Sequence, residues 1–132
     1  MQTAVDLSDV SILVAEDDEA NFFLVKILLS ELSVKVLHAW DGEEVIKMFK
    51  RNPSIDLILM DIRMPNIDGY EATVEIRKFD KSVPIIAQTG YVFEEGKQKA
   101  KLLGFNDYLC KPLSEADLIS VIRKHIDKKK LS

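Results

Sequence analysis

The amino-acid sequence predicts a single α/β domain built around a parallel β-sheet. Along the 132 residues, five short apolar runs alternate with five amphipathic segments. No apolar run approaches the roughly 20 residues that a membrane-spanning helix requires. Because parallel strands need crossover connections, usually helices, this alternation favours a parallel sheet with helices on both faces.

The apolar runs give the strands and the amphipathic segments give the helices. We expect strands at about 11–15, 34–39, 56–60, 83–88 and 105–110. We expect helices at about 19–32, 42–51, 68–78, 92–103 and 115–127. The third and fourth strands are almost continuously apolar, which is typical of strands covered on both faces, whereas the mixed second strand suits a sheet edge. Five such units fit a flavodoxin-like (βα)5 domain with strand order 2-1-3-4-5.

Composition excludes several classes of protein. An apolar fraction of 47% with 30% charged residues is that of a folded globular domain. The net charge is −4, and the Lys and Arg residues are dispersed along the chain. Residues 1–9 do not resemble a secretory signal, and the lone Cys110, interpreted as inert core, fits a reducing cytoplasmic location. The basic run 128–130 is interpreted as a solvated end, so we expect no direct nucleic-acid binding. We expect no membrane insertion because no apolar run is long enough. We predict residues 10–127 as the domain, 1–9 as an extension or linker and 128–132 as a tail.

Polar residues follow four of the predicted strands. Glu16 and Asp17 follow the first strand, Asp61 the third, Thr89 the fourth and Lys111 the fifth. Ligands of such sheets bind outside the carboxyl ends of the strands, where the winding direction reverses between strands one and three. We therefore expect three carboxylates, a hydroxyl and an ammonium to meet at one edge.

Three carboxylates at close range require neutralisation, either by protons or by a hard divalent cation. Mg²⁺ is the simplest solution and Mn²⁺ a plausible substitute. An aspartate carboxylate can act as a nucleophile and form an aspartyl phosphate. Lys111 and the Thr89 hydroxyl could then neutralise and bind the phosphoryl oxygens. The sequence thus predicts phosphoryl acceptance on Asp61.

These motifs, taken in order, resemble a known family, the response-regulator receiver domain with the CheY-like fold. The resemblance rests on the pairs Glu16-Asp17, Met64-Pro65, Asp68-Gly69, Thr89-Gly90 and Lys111-Pro112 together with Asp61. It covers about residues 10 to 127.

The resemblance implies a role for each acidic residue. Asp61 would be the phosphoacceptor, Asp17 a direct Mg²⁺ ligand, and Glu16 a residue that acts on the metal mainly through water. The backbone carbonyl of Arg63 would be a further ligand. Glu16 stands where Asp is commoner in the family, a variant that should still allow metal binding.

The resemblance also implies how the domain would work. Thr89 and Lys111 would bind the phosphoryl group, Thr89 and Tyr108 would form the conformational switch, and the Lys111-Pro112 peptide would be cis. A histidine kinase or a histidine phosphotransfer protein would donate the phosphoryl group. The domain, a monomer or weak dimer, would catalyse only its own phosphorylation and dephosphorylation. The first loop, from Glu16 to Asn21, resembles those of hybrid-kinase receivers, but a free-standing regulator remains open.

The first helix carries more apolar residues than one buried face needs. We expect its core face to hold Leu24, Val25, Leu28 and Leu32. Phe23 and Ile27 would then project outward with Phe22 at the flank, as a docking patch for the partner protein. Incidental exposure of apolar residues is the alternative.

Three other functions compete with the receiver interpretation. An aspartate-nucleophile phosphatase would need a second Asp where Arg63 stands. A flavodoxin-type cofactor binder would need a first loop rich in Ser, Thr and Gly in place of the acidic residues 16–19. A receiver-like scaffold that is not phosphorylated would not need the acidic cluster, Thr89 and Lys111.

Overall fold

The computed structural model of the protein describes residues 7–90 and 94–126. Five parallel strands form one sheet in the order β2-β1-β3-β4-β5. The strands are β1 (Ser11–Ala15), β2 (Lys35–Ala39), β3 (Leu57–Asp61), β4 (Ile85–Thr89) and β5 (Asp107–Cys110). The predicted order and the predicted edge position of the second strand are confirmed.

Five helices connect the strands and follow the last one. They are α1 (Glu19–Glu31), α2 (Gly42–Arg51), α3 (Gly69–Arg77), α4 (Glu94–Leu103) and α5 (Glu115–His125). The predicted start of α4, the last residue predicted for α5 and the basic run 128–130 lie outside the described residues. Among the described residues no helix is long and apolar enough to cross a membrane.

Capping side chains fix where the helices begin. Asp18, Asp41 and Asp68 each accept a hydrogen bond from the backbone N–H three residues later, at the start of α1, α2 and α3. Ser114 and Asp117 form a reciprocal capping box at the start of α5. Because each of these helices starts just beyond the carboxyl end of a strand, the caps define the rim of that edge of the sheet.

The sheet separates two apolar layers. On one face, side chains of α2, α3 and α4 pack against the strands, with Phe49 and Ile76 almost fully buried. On the other face, α1 and α5 contribute Leu29 and Leu118, and Leu7 joins this cluster at 2% exposure. Helices thus cover both faces, as predicted.

The core face that we predicted for α1 is wrong at Leu24. Leu24 is 55% exposed, whereas Leu29, which was not predicted, is fully buried. The helix is therefore turned so that Val25 and Leu29 meet the sheet. The interpretation of Cys110 as core is also wrong, because this residue ends the edge strand β5 and is exposed.

Candidate functional site

Three carboxylates meet where β1 and β3 end. These strands are hydrogen-bonded neighbours, so the residues that end β3 or follow β1 lie side by side. One ligand oxygen each from Glu16, Asp17 and Asp61 lies within 4.8 Å of the others. Glu16 is fully buried and Asp61 is 5% exposed, whereas Asp17 is exposed to solvent. The predicted clustering of the acids is thus confirmed.

Asp61 is held by two hydrogen bonds. The backbone N–H of Arg63 donates to Oδ1 at 3.0 Å, and Lys111 Nζ donates to Oδ2 at 3.0 Å. Gly69, at the start of α3, packs against the Asp61 carbonyl so closely that an added Cβ would collide with its oxygen. The Gly69 amide also donates to the carbonyl of Ile62 at 2.9 Å. The Asp68-Gly69 pair therefore lets α3 begin directly beside the end of β3.

Lys111 links Asp61 to Glu16. Its ammonium donates to Glu16 Oε1 at 2.6 Å, in addition to the bond with Asp61. Burial would lower the pKa of Lys111, but the hydrogen bonds that its ammonium donates to Glu16 and Asp61, together with the charges of these two carboxylates, outweigh burial and raise the pKa. Lys111 is therefore a fixed cation shared by two carboxylates.

The Glu16 carboxyl holds its proton more tightly than an exposed glutamate does. Burial, together with the hydrogen bond and charge of Asp61, raises the pKa of Glu16 to about 7, although Lys111 opposes the shift. The Glu16 carboxylate also accepts a bond from the Asp18 N–H at 3.2 Å. Near neutral pH, therefore, the protonated and the ionised forms of Glu16 are both populated.

The donor set fits a hard divalent cation. Three carboxylates face one ammonium, so negative charge at the crevice exceeds the positive charge of Lys111 when all groups are ionised. The oxygens come from acidic side chains, which Mg²⁺ prefers. Glu16, Asp17 and Asp61 could hold such an ion, and the exposed position of Asp17 leaves room for water ligands.

Thr89 and Tyr108 lie on the strands beyond Asp61. Thr89 ends β4 at 8% exposure, and its carbonyl accepts the backbone N–H of Lys111 at 2.7 Å. Tyr108 is half-buried and packs against the core layer on the side of α3 and α4. Burial raises the pKa of Tyr70, and the neighbouring Tyr108 hydroxyl adds to that shift. The Lys111-Pro112 peptide is cis, as predicted.

An aromatic stack that was not predicted supports the backbone at Glu16. His38 Nε2 hydrogen-bonds the Glu16 carbonyl at 2.8 Å. The His38 ring lies 3.5 Å from that of Phe22, with the planes 5° apart, and 4.0 Å from that of Trp40. A sequence signal for this contact exists, because a residue near the carboxyl end of an edge strand lies beside the end of the adjacent strand.

An exposed apolar surface on α1 borders the crevice. Phe23, Leu24 and Ile27 are 59%, 55% and 41% exposed. The outward positions predicted for Phe23 and Ile27 are those observed, and Leu24 joins them. Phe22 is half-buried by its stack on His38.

This combination of fold and crevice defines a class of protein. The family model described as "Response regulator receiver domain" matches residues 12–123. The chain therefore belongs to the response regulator receiver domain family and is a receiver domain of two-component signal transduction.

Similar proteins include sensor kinases. The chain is 33% identical over 118 residues to the sensor histidine kinase GacS of Pseudomonas protegens. The aligned region covers 86% of this chain and 13% of that kinase. The chain is 38% identical over 125 residues to hybrid signal transduction histidine kinase I of Dictyostelium discoideum, of which it spans 7%. The chain thus corresponds to a small part of these relatives.

A solved structure of similar size is the receiver domain of sensor histidine kinase PA1611 from Pseudomonas aeruginosa, which has a magnesium ion coordinated in its active-site cleft. It is 35% identical, covers 88% of this chain and 96% of its own, and gives a TM-score of 0.81.

Proposed function

We propose that Asp61 accepts a phosphoryl group from the phosphohistidine of a histidine kinase or a histidine phosphotransfer protein. The observation that carries this proposal is the position of Asp61 Oδ2, 3.0 Å from Lys111 Nζ and within the cluster formed with Glu16 and Asp17. An ammonium at that position can neutralise a phosphoryl oxygen once the group is attached.

Mg²⁺ is the cofactor that we infer, with Mn²⁺ as a substitute. The ion would be held by Asp17, Asp61 and the backbone carbonyl of Arg63, with Glu16 acting on it mainly through water. A bound divalent cation supplies positive charge that offsets the acids and the charge on the phosphoryl oxygens. The magnesium ion in the related Pseudomonas aeruginosa receiver supports this inference.

The chain's own residues supply the other parts of the transfer. A carboxylate oxygen of Asp61 forms the new P–O bond as the P–N bond of the donor phosphohistidine breaks. The electron pair of the broken bond stays on the imidazole nitrogen, which takes up a proton. Lys111 neutralises one phosphoryl oxygen, the Thr89 hydroxyl donates to another, and Thr89 with Tyr108 relays the change to the face formed by α4 and α5. In a separate hydrolytic step, the oxygen of a water molecule attacks the phosphorus, the bond between phosphorus and the Asp61 oxygen breaks, and inorganic phosphate leaves as the Asp61 carboxylate is regenerated. The domain thereby catalyses its own dephosphorylation.

Intact-mass spectrometry after incubation with acetyl phosphate and Mg²⁺ tests this proposal. The wild-type protein should gain the mass of one phosphoryl group, and Asp61→Asn, which keeps the size of the side chain, should gain none. Equal labelling of the two proteins would place the phosphoryl group elsewhere. Sustained turnover of a small phosphoester would instead favour the phosphatase alternative.

The exposed α1 surface is the docking site that we infer for the phosphoryl donor. Phe23 and Ile27 are 59% and 41% exposed, Phe22 lies half-buried beside them, and Ile27 lines the same pocket as Glu16 and Lys111. We infer that a donor helix carrying a phosphohistidine packs on these residues as it approaches the crevice. The receiver domain of Ssk1 was co-crystallised with the phosphotransfer protein Ypd1 of Saccharomyces cerevisiae. The match covers 98% of this chain and 95% of the chain in that structure, with 27% identity and a TM-score of 0.86. This likeness supports a phosphotransfer protein as partner.

The similarity to sensor kinases supports a place for this chain within a hybrid histidine kinase in the cytoplasm. We infer residues 10–127 as the receiver unit, with residues 1–9 as an extension or linker and 128–132 as a tail. The shared region is the receiver only, so the input signal belongs to other parts of such a kinase.

A further inference from the structure

The carboxyl end of the edge strand β2 holds the backbone of Glu16 from both sides. The Glu16 N–H donates to the carbonyl of Ala39 at 3.0 Å, which extends the pairing of β1 with β2 by one residue. The Glu16 carbonyl lies 2.8 Å from Nε2 of His38, the residue before Ala39. Two adjacent residues of β2 therefore fix both polar groups of the Glu16 backbone.

The partner of His38 Nε2 determines what this atom carries. A carbonyl oxygen only accepts hydrogen bonds, so Nε2 must bear a hydrogen and donate it. This ring nitrogen is thus committed to the backbone. The contribution of His38 to the crevice is therefore geometric, and not a transfer of protons through Nε2.

Two aromatic side chains hold the imidazole of His38 in the orientation that this bond requires. The centroid of the Phe22 ring on α1 lies 3.5 Å from that of His38 with the planes 5° apart, and the Trp40 ring lies 4.0 Å away on the other strand neighbour. His38 follows Val36 by two residues, so its side chain lies on the sheet face that α1 covers. A ring held by packing loses little conformational entropy when it forms a hydrogen bond, so the donor is preorganised.

The position of Asp17 depends on the same peptide. The Asp17 side chain is exposed to solvent, whereas Glu16 and Asp61 are buried in the crevice. A peptide group is planar, so a bond that fixes the Glu16 carbonyl also fixes the N–H and the Cα of Asp17. The carboxylate of Asp17 then starts from a fixed point as it joins the other two within 4.8 Å.

We propose that His38 is a positioning residue for the divalent-cation site, because its hydrogen bond to the Glu16 carbonyl holds the peptide from which the Asp17 carboxylate reaches the crevice. This inference rests on the proposed function, in which Asp17 is a direct Mg²⁺ ligand. The bond of His38 ends at the backbone, so His38 acts on the ion only through Asp17.

Three variants separate this role from a general effect on the fold. His38→Phe keeps a ring between Phe22 and Trp40 and removes the donor. His38→Gln restores an N–H donor at about the reach of Nε2. His125→Phe is the matched control, because it removes a histidine hydrogen bond of 3.0 Å to Asp107, which begins β5 at the opposite edge of the sheet.

Nuclear magnetic relaxation of the ¹⁵N-labelled, metal-free protein measures the rigidity of the Asp17 N–H. Its order parameter should be about 0.85, the value of rigid backbone, and should fall toward about 0.6 in His38→Phe. His38→Gln should restore the rigidity, and His125→Phe should leave it unchanged. If His38→Phe does not fold, His38→Leu takes its place.

Isothermal titration with Mg²⁺ at pH 8, above the Glu16 pKa of about 7, measures the consequence for the ion. His38→Phe should weaken Mg²⁺ binding about tenfold, at the lower end of the loss that outer-shell partners of metal ligands typically cause. His38→Gln should recover most of that loss, and His125→Phe should bind like the wild type.

The outcomes distinguish this inference from the proposed function. The inference alone is overturned if the wild type binds Mg²⁺ and His38→Phe binds it equally well, or if the Asp17 N–H stays as rigid in His38→Phe as in the wild type. It is also overturned if His38→Gln or His125→Phe loses as much affinity as His38→Phe. A wild-type protein that does not bind Mg²⁺ would overturn the proposed function and this inference with it.

Discussion

The raised pKa of Glu16 makes a quantitative prediction for metal binding. Burial and the neighbouring Asp61 raise this pKa to about 7, so a proton and a divalent cation compete for the same crevice. Raising the pH from 6 to 8 should therefore strengthen Mg²⁺ binding. The perturbation leaves the covalent structure of the protein unchanged.

The size of the effect follows from the ionised fraction of Glu16. With a pKa of about 7, roughly 9% of the side chains are ionised at pH 6 and roughly 91% at pH 8. If the ion binds the ionised form, its apparent affinity rises about tenfold, which corresponds to about 1.4 kcal/mol.

The metal-free protein should show the opposite trend in stability. The pKa of Glu16 rises from 4.5 to about 7 on folding, so the folded state holds the proton more tightly than the unfolded chain. The stabilisation that results is complete below the unfolded value and is lost as the pH rises through the folded value. For this fully buried group, the loss is on the order of 3 kcal/mol.

Isothermal titration calorimetry with Mg²⁺ at pH 6, 7 and 8 and constant ionic strength measures the first effect, and urea unfolding without metal measures the second. Glu16→Gln is the control, because it keeps the shape but removes the titrating group. Its Mg²⁺ affinity should vary less than twofold over the same range. A wild-type affinity that is independent of pH, or a tenfold dependence that persists in Glu16→Gln, would refute the reasoning.

Three further predictions concern packing, docking and a second charged pair. Gly69→Ala should lower the free energy of unfolding by about 1–3 kcal/mol, measured by urea denaturation, because its Cβ meets backbone. Changing Phe23 and Ile27 together to Ser should slow transfer from a protein phosphodonor in a radiolabel assay, while labelling by acetyl phosphate stays unchanged. Asp107→Asn should destabilise the protein at pH 7 in urea unfolding, because a hydrogen bond from His125 helps to lower the pKa of Asp107 despite its partial burial. That difference should be present above the unfolded pKa of about 3.9 and disappear as the pH falls through the lower folded value.

Each of these predictions has a control. Gly90→Ala adds the same methyl group where nothing lies within 4 Å of the new Cβ, so it should leave stability nearly unchanged. Leu102→Ser removes an apolar side chain that is 86% exposed on α4 and should not slow transfer from the protein donor. An equal loss of stability in Gly69→Ala and Gly90→Ala would contradict the packing explanation, and equally slow transfer in Leu102→Ser and the double variant would contradict the docking explanation. A destabilisation by Asp107→Asn that is the same at pH 7 and pH 3 would contradict the explanation for that pair.

The sequence predicts most of the sheet and the clustering of acids because both depend on local pattern. When an apolar run forms a parallel strand, the polar residue that ends or follows it lies at the carboxyl edge of the sheet. This placement does not depend on how the helices pack. The boundary of β4 differs from the prediction for a local reason. It begins at Ile85 and not at Val83, since Pro84 has no N–H to donate to a neighbouring strand.

The misassigned face of α1 has a different cause. Four consecutive residues, Phe22 to Val25, are apolar. Helical periodicity tells which residues share a face, but with so many apolar residues it does not tell which face meets the sheet. The assignment of Leu24 to the core followed from this ambiguity. Cys110 was misassigned because burial at the end of an edge strand depends on what covers that strand.

Contacts between distant parts of the chain were beyond sequence patterns. His125 pairs with Asp107 at 3.0 Å across the end of α5 and the start of β5. Gln88 is a further case: within residues 7–90 and 94–126 its fully buried side-chain amide has no hydrogen-bond partner, and its surroundings come from several elements at once. Both require the relative positions of helix and sheet, which pattern alone does not supply.

The aromatic stack beside Glu16 gives the protein a built-in optical reporter. Trp40 is the only tryptophan in the chain, and its ring touches His38, which in turn holds the carbonyl of Glu16. Tryptophan emission should therefore respond when a cation or an acyl-phosphate mimic rearranges the loop after β1, and no dye needs to be attached to follow it in real time.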